Sequence, residues 1–184
     1  MNWNRVARRV RVPLGFAFAI LYFWLARPAL WSIAAGAAVT ALGLGIRAFA
    51  SGTVRKNEEL ATSGPYAYTR NPLYLGSIVI AGGFALAARS WIVVAVLVVL
   101  FVAIYLPVIR DEENFLRGRF PEFAEYERRV PRLIPRFGNA PGSASSSSAA
   151  FSKDLYFQHR EYNALAGALA MIALLTVKLV WFSH

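Results

Sequence analysis

Apolar and polar positions fall in long blocks along this chain, not at the short periods of a soluble fold. Apolar runs extend over Val12 to Ala26, Ala29 to Ala50, Leu73 to Ala88, Trp91 to Leu106 and Ala164 to Phe182. A helix crosses the bilayer core with about 20 apolar residues, in a range of about 17–25. The second and fifth runs reach that length by themselves. The first, third and fourth are shorter and need flanking aromatic or arginine residues, or a tightly packed hairpin, to complete a crossing. Pro28 and the pair Arg89-Ser90 interrupt the pattern where tight turns join neighbouring helices. The pattern predicts an all-α integral membrane helical bundle with five transmembrane helices. Its order is a hairpin, a polar loop, a second hairpin, a large polar segment and a final helix.

Two polar stretches separate the runs. Residues 51–72 form the first, and residues 107–162 the second and larger. In the larger one, Phe115, Leu116, Phe120, Phe123, Tyr126 and Val130 recur at spacings near three and four, the mark of amphipathic helix. Pro121 divides that stripe into two short helices. Val130-Pro131-Arg132-Leu133-Ile134-Pro135 reads as extended chain, because a proline disfavours helix in the residue before it. Residues 138–150, which include four consecutive serines, have the composition of a flexible linker. The chain therefore divides into a core over 1–137, whose 107–137 segment covers one end, a linker over 138–160 and a last helix over 161–184, tethered loosely to a four-helix core. Gly36, Ala37, Gly43 and Gly45 in the second run, with Gly82 and Gly83 in the third, allow close helix contact.

Charge sets the direction. There are 20 basic and 10 acidic residues, for a net charge of +10. Arg5, Arg8, Arg9 and Arg11 precede the first run, Arg47, Arg55, Lys56 and Arg70 surround the loop after the second, and nine basic residues lie between the fourth and fifth. The opposite face receives Arg27, Arg89 and Lys178, the last placed to snorkel. The positive-inside bias thus predicts a cytoplasmic N-terminus. The basic surplus reports topology, not nucleic-acid binding, since no basic face on a soluble domain is present. Residues 1–26 read as a helix paired with the second run, not as a cleaved leader.

Absent residue types exclude some chemistry. Cysteine is missing, so there is no disulfide framework, zinc-thiolate site or cysteine nucleophile. His159 and His184 are the only histidines, which argues against a histidine metal cluster, and His159 reads as a solvated linker residue.

Two polar clusters flank the second hairpin. In Arg70-Asn71-Pro72-Leu73-Tyr74, Pro72 suits the first turn of a helix and Asn71 its N-cap. The helix start then offers N–H groups to a carboxylate or phosphate, and Arg70 adds a fixed cation. The plainer interpretation is an arginine flanking a membrane helix, with Tyr66, Tyr68 and Tyr74 as interfacial residues. In Arg110-Asp111-Glu112-Glu113, the two glutamates point about 100° apart. Glu112 is the better ligand contact, while Glu113 has Arg117 at i+4 for a surface pair. The alternative is a solvated charged face. Arg132 is placed to reach an anionic group or a lipid headgroup.

The order of these pieces resembles the isoprenylcysteine carboxyl methyltransferase family and its relatives among membrane phospholipid methyltransferases, over about residues 59–136. The parts are Thr62-Ser63-Gly64-Pro65-Tyr66, Arg70-Asn71-Pro72-Leu73-Tyr74-Leu75-Gly76, a hydrophobic hairpin, then Glu112-Glu113 with Leu116, Phe120, Tyr126 and Val130 to Pro135. The resemblance implies S-adenosylmethionine bound at the cytoplasmic end of the bundle and methyl transfer to a lipophilic acceptor, with S-adenosylhomocysteine as product. It implies cofactor contacts from Leu60, Ala61, Tyr66, Asn71, Pro72, Leu73, Tyr74 and Glu112, and an anchoring role for Arg70 toward the acceptor. Methylation of a carboxylate needs little acid–base chemistry, whereas an amine, hydroxyl or thiol needs a base, for which Glu113 or Tyr74 is the candidate. The chain departs from the family at Asn71, where histidine is frequent, and at Val108, where the prenylcysteine branch has arginine; both point away from a prenylcysteine acceptor. A compact Ala- and Arg-rich chain suggests a bacterial inner membrane, with lipid and a lipophilic acceptor as partners, no nucleic acid and no metal. The rival functions are an NADPH-dependent, sterol-type membrane reductase and a non-enzymatic lipid-binding protein.

Overall fold

A computed structural model describes residues 15, 17–54, 59–136 and 151–182. Among the described residues the regular structure is helical and no strand occurs. Helix α1 covers residues 17–25, and α2 Leu30–Ser51 follows after a four-residue turn. A short 3-10 turn, Gly64–Ala67, precedes α3, Pro72–Ala88. Helix α4, Trp91–Leu100, runs through a π-helical stretch, Phe101–Tyr105, into α5, Leu106–Arg119. The remaining helices are α6, Phe123–Arg129, α7, Lys153–Gln158, and α8, Tyr162–Phe182.

Among the described residues three helical spans are long and apolar enough to cross a membrane: Leu30–Ser51, Trp91–Arg119 and Tyr162–Trp181; α3 is apolar but shorter. The protein is an integral membrane protein of all-α class. Most of each span's surface faces outward and not into the protein, as lipid-facing helices require. Four of the chain's five tryptophans sit at helix ends: Trp24, Trp31, Trp91 and Trp181 are each more than half exposed, on the end of the bundle away from the charged loops. Indole rings favour the membrane interface, so this ring marks one boundary of the apolar slab.

The expected boundary between a fourth span and a separate amphipathic helix is absent. One helix continues from Trp91 to Arg119. Pro107 has no N–H and its ring crowds the preceding turn, so the ladder widens to a π-helical turn just before it instead of breaking. That turn brings Tyr105 toward α3, where its ring meets the edge of Tyr74 at 5.9 Å.

The core joins α1, α2, α3, α4 and α8. Tyr22 of α1, Ile33 of α2, Ala87 of α3, Val93 of α4 and Leu175 of α8 bury against one another. The Tyr22 hydroxyl donates to the Phe84 carbonyl at 2.9 Å, which satisfies the polar atom inside the slab. Helices α2 and α3 pack backbone to backbone. A Cβ on Gly43 would lie 2.7 Å from the Gly76 carbonyl oxygen, and one on Gly36 2.5 Å from that of Gly83. Gly45 and Gly82, also expected at the contact, face open space, and Gly76 takes the place in it.

Two expectations for the C-terminal part need correction. Residues 138–150 lie outside the described residues, but 151–160 are not linker. Ser152 caps α7 by accepting from the Leu155 amide, its own amide donates to the Gly52 carbonyl at 2.9 Å, and the Phe151 ring covers Gly52. The last helix is therefore docked on the end of α2, because these polar contacts satisfy backbone groups that α2 leaves open. Lys178 does not snorkel away. Its Nζ donates to the carbonyls of Phe23, Trp24 (3.2 Å) and Ala26 (2.8 Å), the orphan acceptors at the end of α1.

Candidate functional site

The polar site lies at the end of the bundle opposite the tryptophan ring. Its floor is the loop from Leu60 to Asn71, and it is held from behind by residues 130–136. Arg70 N–H donates to the Pro131 carbonyl at 2.9 Å, Arg136 N–H to the Tyr68 carbonyl at 3.2 Å, and Thr69 Oγ1 to the Arg132 carbonyl at 3.1 Å. The extended segment is thus a brace against the loop. The amphipathic stripe supports it: Phe123, Tyr126 and Val130 bury with Leu60, Leu116 and Phe120. The Tyr126 hydroxyl donates to the Tyr66 carbonyl at 2.7 Å, joining brace and floor.

Asn71 stands at the N-cap of α3 with Pro72 in the first turn, as expected, but its side chain does not cap. The Asn71 amide nitrogen donates instead to Glu113 Oε1 at 3.2 Å and to the Arg132 carbonyl at 3.1 Å. The N–H groups of the first turn are left without a side-chain cap.

The two glutamates divide as their helical spacing requires, with a correction to Glu113. Its carboxylate is buried, 3% exposed, and receives Arg132 Nε at 2.9 Å and Arg132 Nη2 at 2.7 Å, with Arg70 Nη1 at 3.5 Å. It does not pair with Arg117, which binds Glu127 at 2.7 Å and the Asn114 side chain at 2.8 Å. Both Glu113 oxygens are occupied, and the residue is not among those lining the pocket. Of the two base candidates, Glu113 is thus engaged in the fold, tying α5 to the start of α3 and to the brace, while Tyr74 lines the pocket. Glu112 is exposed and lines the pocket.

The pocket measures about 560 Å³, within the range of small-molecule sites. Leu60, Ala61, Tyr66, Asn71, Pro72, Leu73, Tyr74 and Glu112, together with Arg70, all line it. Sequence pattern did not mark its other wall. Arg47, Ser77, Tyr105, Phe115, His159, Arg160, Glu161 and Asn163 also face it. Arg47 binds Glu161 through two bonds of 2.8 and 3.0 Å and donates to Ser77 Oγ at 2.6 Å and the Leu73 carbonyl. His159 Nδ1 lies 3.1 Å from the Ser51 carbonyl, so His159 is part of the fold and not a solvated linker residue. Arginines without nearby acidic partners in sequence carry no clue that they converge; only the fold brings Arg47 to Glu161.

Electrostatics follow from this packing. Burial pushes the Tyr66 and Tyr126 phenols well above their ordinary range, with Glu112 and Glu161 adding to the effect at Tyr66 and Arg47 opposing it. Both stay protonated as hydrogen-bond donors. Its hydrogen bond to Glu113 raises the Arg132 guanidinium further, and one from Arg117 holds Glu127 below the carboxylate range. Arg70 Nε is buried without a partner, a costly arrangement that a ligand acceptor relieves.

A second cavity of about 410 Å³ adjoins the first. Phe18 of α1, Ile78, Ala81 and Ala85 of α3, and Leu97 and Phe101 of the Trp91–Arg119 helix line it. Ser77 and Tyr105 line both cavities, so an apolar cleft in the slab meets the polar pocket at those two side chains.

A family model described as phospholipid methyltransferase matches residues 10–122. The cobalt-zinc-cadmium resistance protein CzcN of Cupriavidus metallidurans is 44% identical over 91 residues, 50% of this chain and 42% of that protein. The nickel-cobalt-cadmium resistance protein NccN of Alcaligenes xylosoxydans xylosoxydans is 42% identical over 82 residues, 45% of this chain and 38% of that protein. The match thus spans less than half the length of either curated relative. No solved structure matches.

Proposed function

Since the chain belongs to the phospholipid methyltransferase family, we propose that it is an S-adenosylmethionine-dependent membrane methyltransferase acting on a lipophilic acceptor. The observation that carries this is the meeting of a polar pocket and an apolar cleft at Ser77 and Tyr105. The pocket's chemistry suits the methyl donor. Tyr66, Tyr74 and Phe115 offer aromatic faces to adenine and to the sulfonium. Glu112 suits the sulfonium or the amino group. The uncapped start of α3 and Arg70 Nε suit anionic oxygens.

The cofactor supplies an activated methyl group. Held among Tyr66, Tyr74, Phe115 and Glu112, it would offer that methyl to the acceptor's nucleophile and would itself be left as S-adenosylhomocysteine. The residues here bind, orient and exclude water. The cleft takes the hydrocarbon part of the acceptor from the bilayer and delivers its reactive end past Ser77 and Tyr105. Carboxylate, thiol, amine and lipid headgroup are all within the class.

The same reading has α1 and α3 completing five crossings, with the N-terminus and the pocket cytoplasmic in a bacterial inner membrane. The excess of arginine and lysine at the pocket end supports that orientation. The family membership favours methyl transfer over the reductase alternative.

The test is transfer of labelled methyl from S-adenosylmethionine into an apolar extract by protein in nanodiscs. Label that partitions with lipid supports the acceptor class. Label found only in water-soluble products would contradict it.

A further inference from the structure

The turn between α7 and α8 lies outside the matched family segment, and it carries Arg160. We propose that Arg160 is a further anion-binding cation of the pocket, across from Arg70, taking an oxygen of a carboxylate or phosphate on the bound ligand. This rests on the methyltransferase reading.

Arg160 is one of three arginines that line the pocket. Arg47 is held by Glu161, and Arg70 by Glu113 and Glu127. Among the described residues Arg160 has no carboxylate partner. It is exposed at the pocket's edge, where a ligand can reach it.

The backbone at Arg160 is left-handed, with φ 54°. It closes α7 in a Schellman turn: Arg160 N–H donates to the Phe157 carbonyl at 3.0 Å and Glu161 N–H to that of Tyr156 at 3.4 Å. Glycine is the residue that takes this position without strain. Arg89 closes α3 with the same backbone, φ 51°, away from the pocket, so Arg160 is set apart by its place beside the cavity without a carboxylate partner among the described residues. Both neighbours are fixed, His159 by the Ser51 carbonyl and Glu161 by Arg47. The cation is thus carried on an anchored turn, as binding requires.

The anionic oxygen has two sources, the amino-acid carboxylate of the cofactor or an anionic headgroup of the acceptor. The experiment titrates S-adenosylhomocysteine and 5′-methylthioadenosine, which lacks the amino-acid part, into the full chain in nanodiscs. Arg160→Gly and Arg160→Gln are compared with the parent. Dodecyl phosphate and dodecanol are then titrated into the protein loaded with S-adenosylhomocysteine.

Arg160→Gly is expected to raise the thermal midpoint, because the strain is relieved, while ligand affinity falls at least tenfold. Arg160→Gln is expected to show the same loss without the rise. A loss for S-adenosylhomocysteine alone identifies the cofactor carboxylate as the anion. A loss for dodecyl phosphate but not dodecanol identifies the headgroup. Unchanged affinities for all four probes in both variants would overturn the proposal. A parent that binds no adenosyl ligand would instead overturn the methyltransferase reading beneath it.

Discussion

Glu113 and Arg132 form a bidentate ion pair, with Nε to Oε2 at 2.9 Å and Nη2 to Oε2 at 2.7 Å, behind the pocket. Nε also lies 3.1 Å from Oε1, so one guanidinium spans the whole carboxylate. The pair joins α5 to the brace, and through Asn71 it fixes the start of α3. Glu112, one residue earlier, points into the pocket. Adjacent glutamates thus part ways, one tied into the fold and the other facing the cavity.

That division is measurable. Glu113→Ala leaves Arg132, Arg70 and Asn71 without their shared acceptor and is expected to cost about 2–4 kcal/mol, toward the lower end because Arg132 is 42% exposed. Glu112→Gln is expected to change stability by no more than ~0.5 kcal/mol, as exposed substitutions do. Thermal or denaturant unfolding in detergent compares the two. Equal effects would contradict the assignment.

The Arg47–Glu161 pair couples the docked C-terminal segment to α2. A double-mutant cycle with Arg47→Met and Glu161→Gln is expected to give a coupling energy of about 1–2 kcal/mol. Side chains of 23% and 9% exposure keep the bond from full screening. A coupling near zero would mean that the pair adds nothing to the docking of α8 on α2.

Glycines along the helix contact should respond by position. Gly43→Leu and Gly76→Leu force α2 and α3 apart and are expected to cost upward of ~2 kcal/mol or to prevent folding. Gly45→Ala and Gly82→Ala meet open space and are expected to be neutral or to stabilise by up to ~1 kcal/mol. Yield of monodisperse protein in detergent reads the first pair and thermal melts the second.

Burial raises the Tyr66 and Tyr126 phenols in the folded state. Below the ordinary phenol value of about 10 both states are protonated and stability is at its full level. Above it the unfolded chain loses protons that the folded chain keeps, so stability declines as pH rises toward the folded values. Tyr126→Phe is expected to cost about 1 kcal/mol at neutral pH through its lost bond to the Tyr66 carbonyl. It is also expected to flatten the alkaline decline, which an unfolding series from pH 8 to 11 checks.

Much of this was legible in the chain. Block hydropathy located the long helices, and Pro72 and Asn71 fixed the start of α3 because a missing N–H and a cap position have few other uses. The eight cofactor candidates and Arg70, which the family resemblance pointed to, line one cavity. The far wall was not legible. Arg47, Ser77 and Tyr105 lie in apolar runs whose periodicity says only that they are helical. Arg160 looked like linker because the six-residue helix before it has too short a pattern to register. Glu113 was misread for a different reason: i+4 spacing offers Arg117, but burial against Asn71 and Arg132 is a tertiary matter.

The central claim is that one pocket, bounded by the Tyr66 loop, α3 and Glu112, binds the adenosyl cofactor. The most direct measurement is calorimetric titration of S-adenosylhomocysteine and NADPH into purified protein, with Tyr74→Ala and Glu112→Gln beside the parent. Saturable binding of S-adenosylhomocysteine alone, weakened about tenfold or more in both variants while each stays folded, is the expected result. A folded parent that ignores S-adenosylhomocysteine, or that binds NADPH in its place, would contradict the claim.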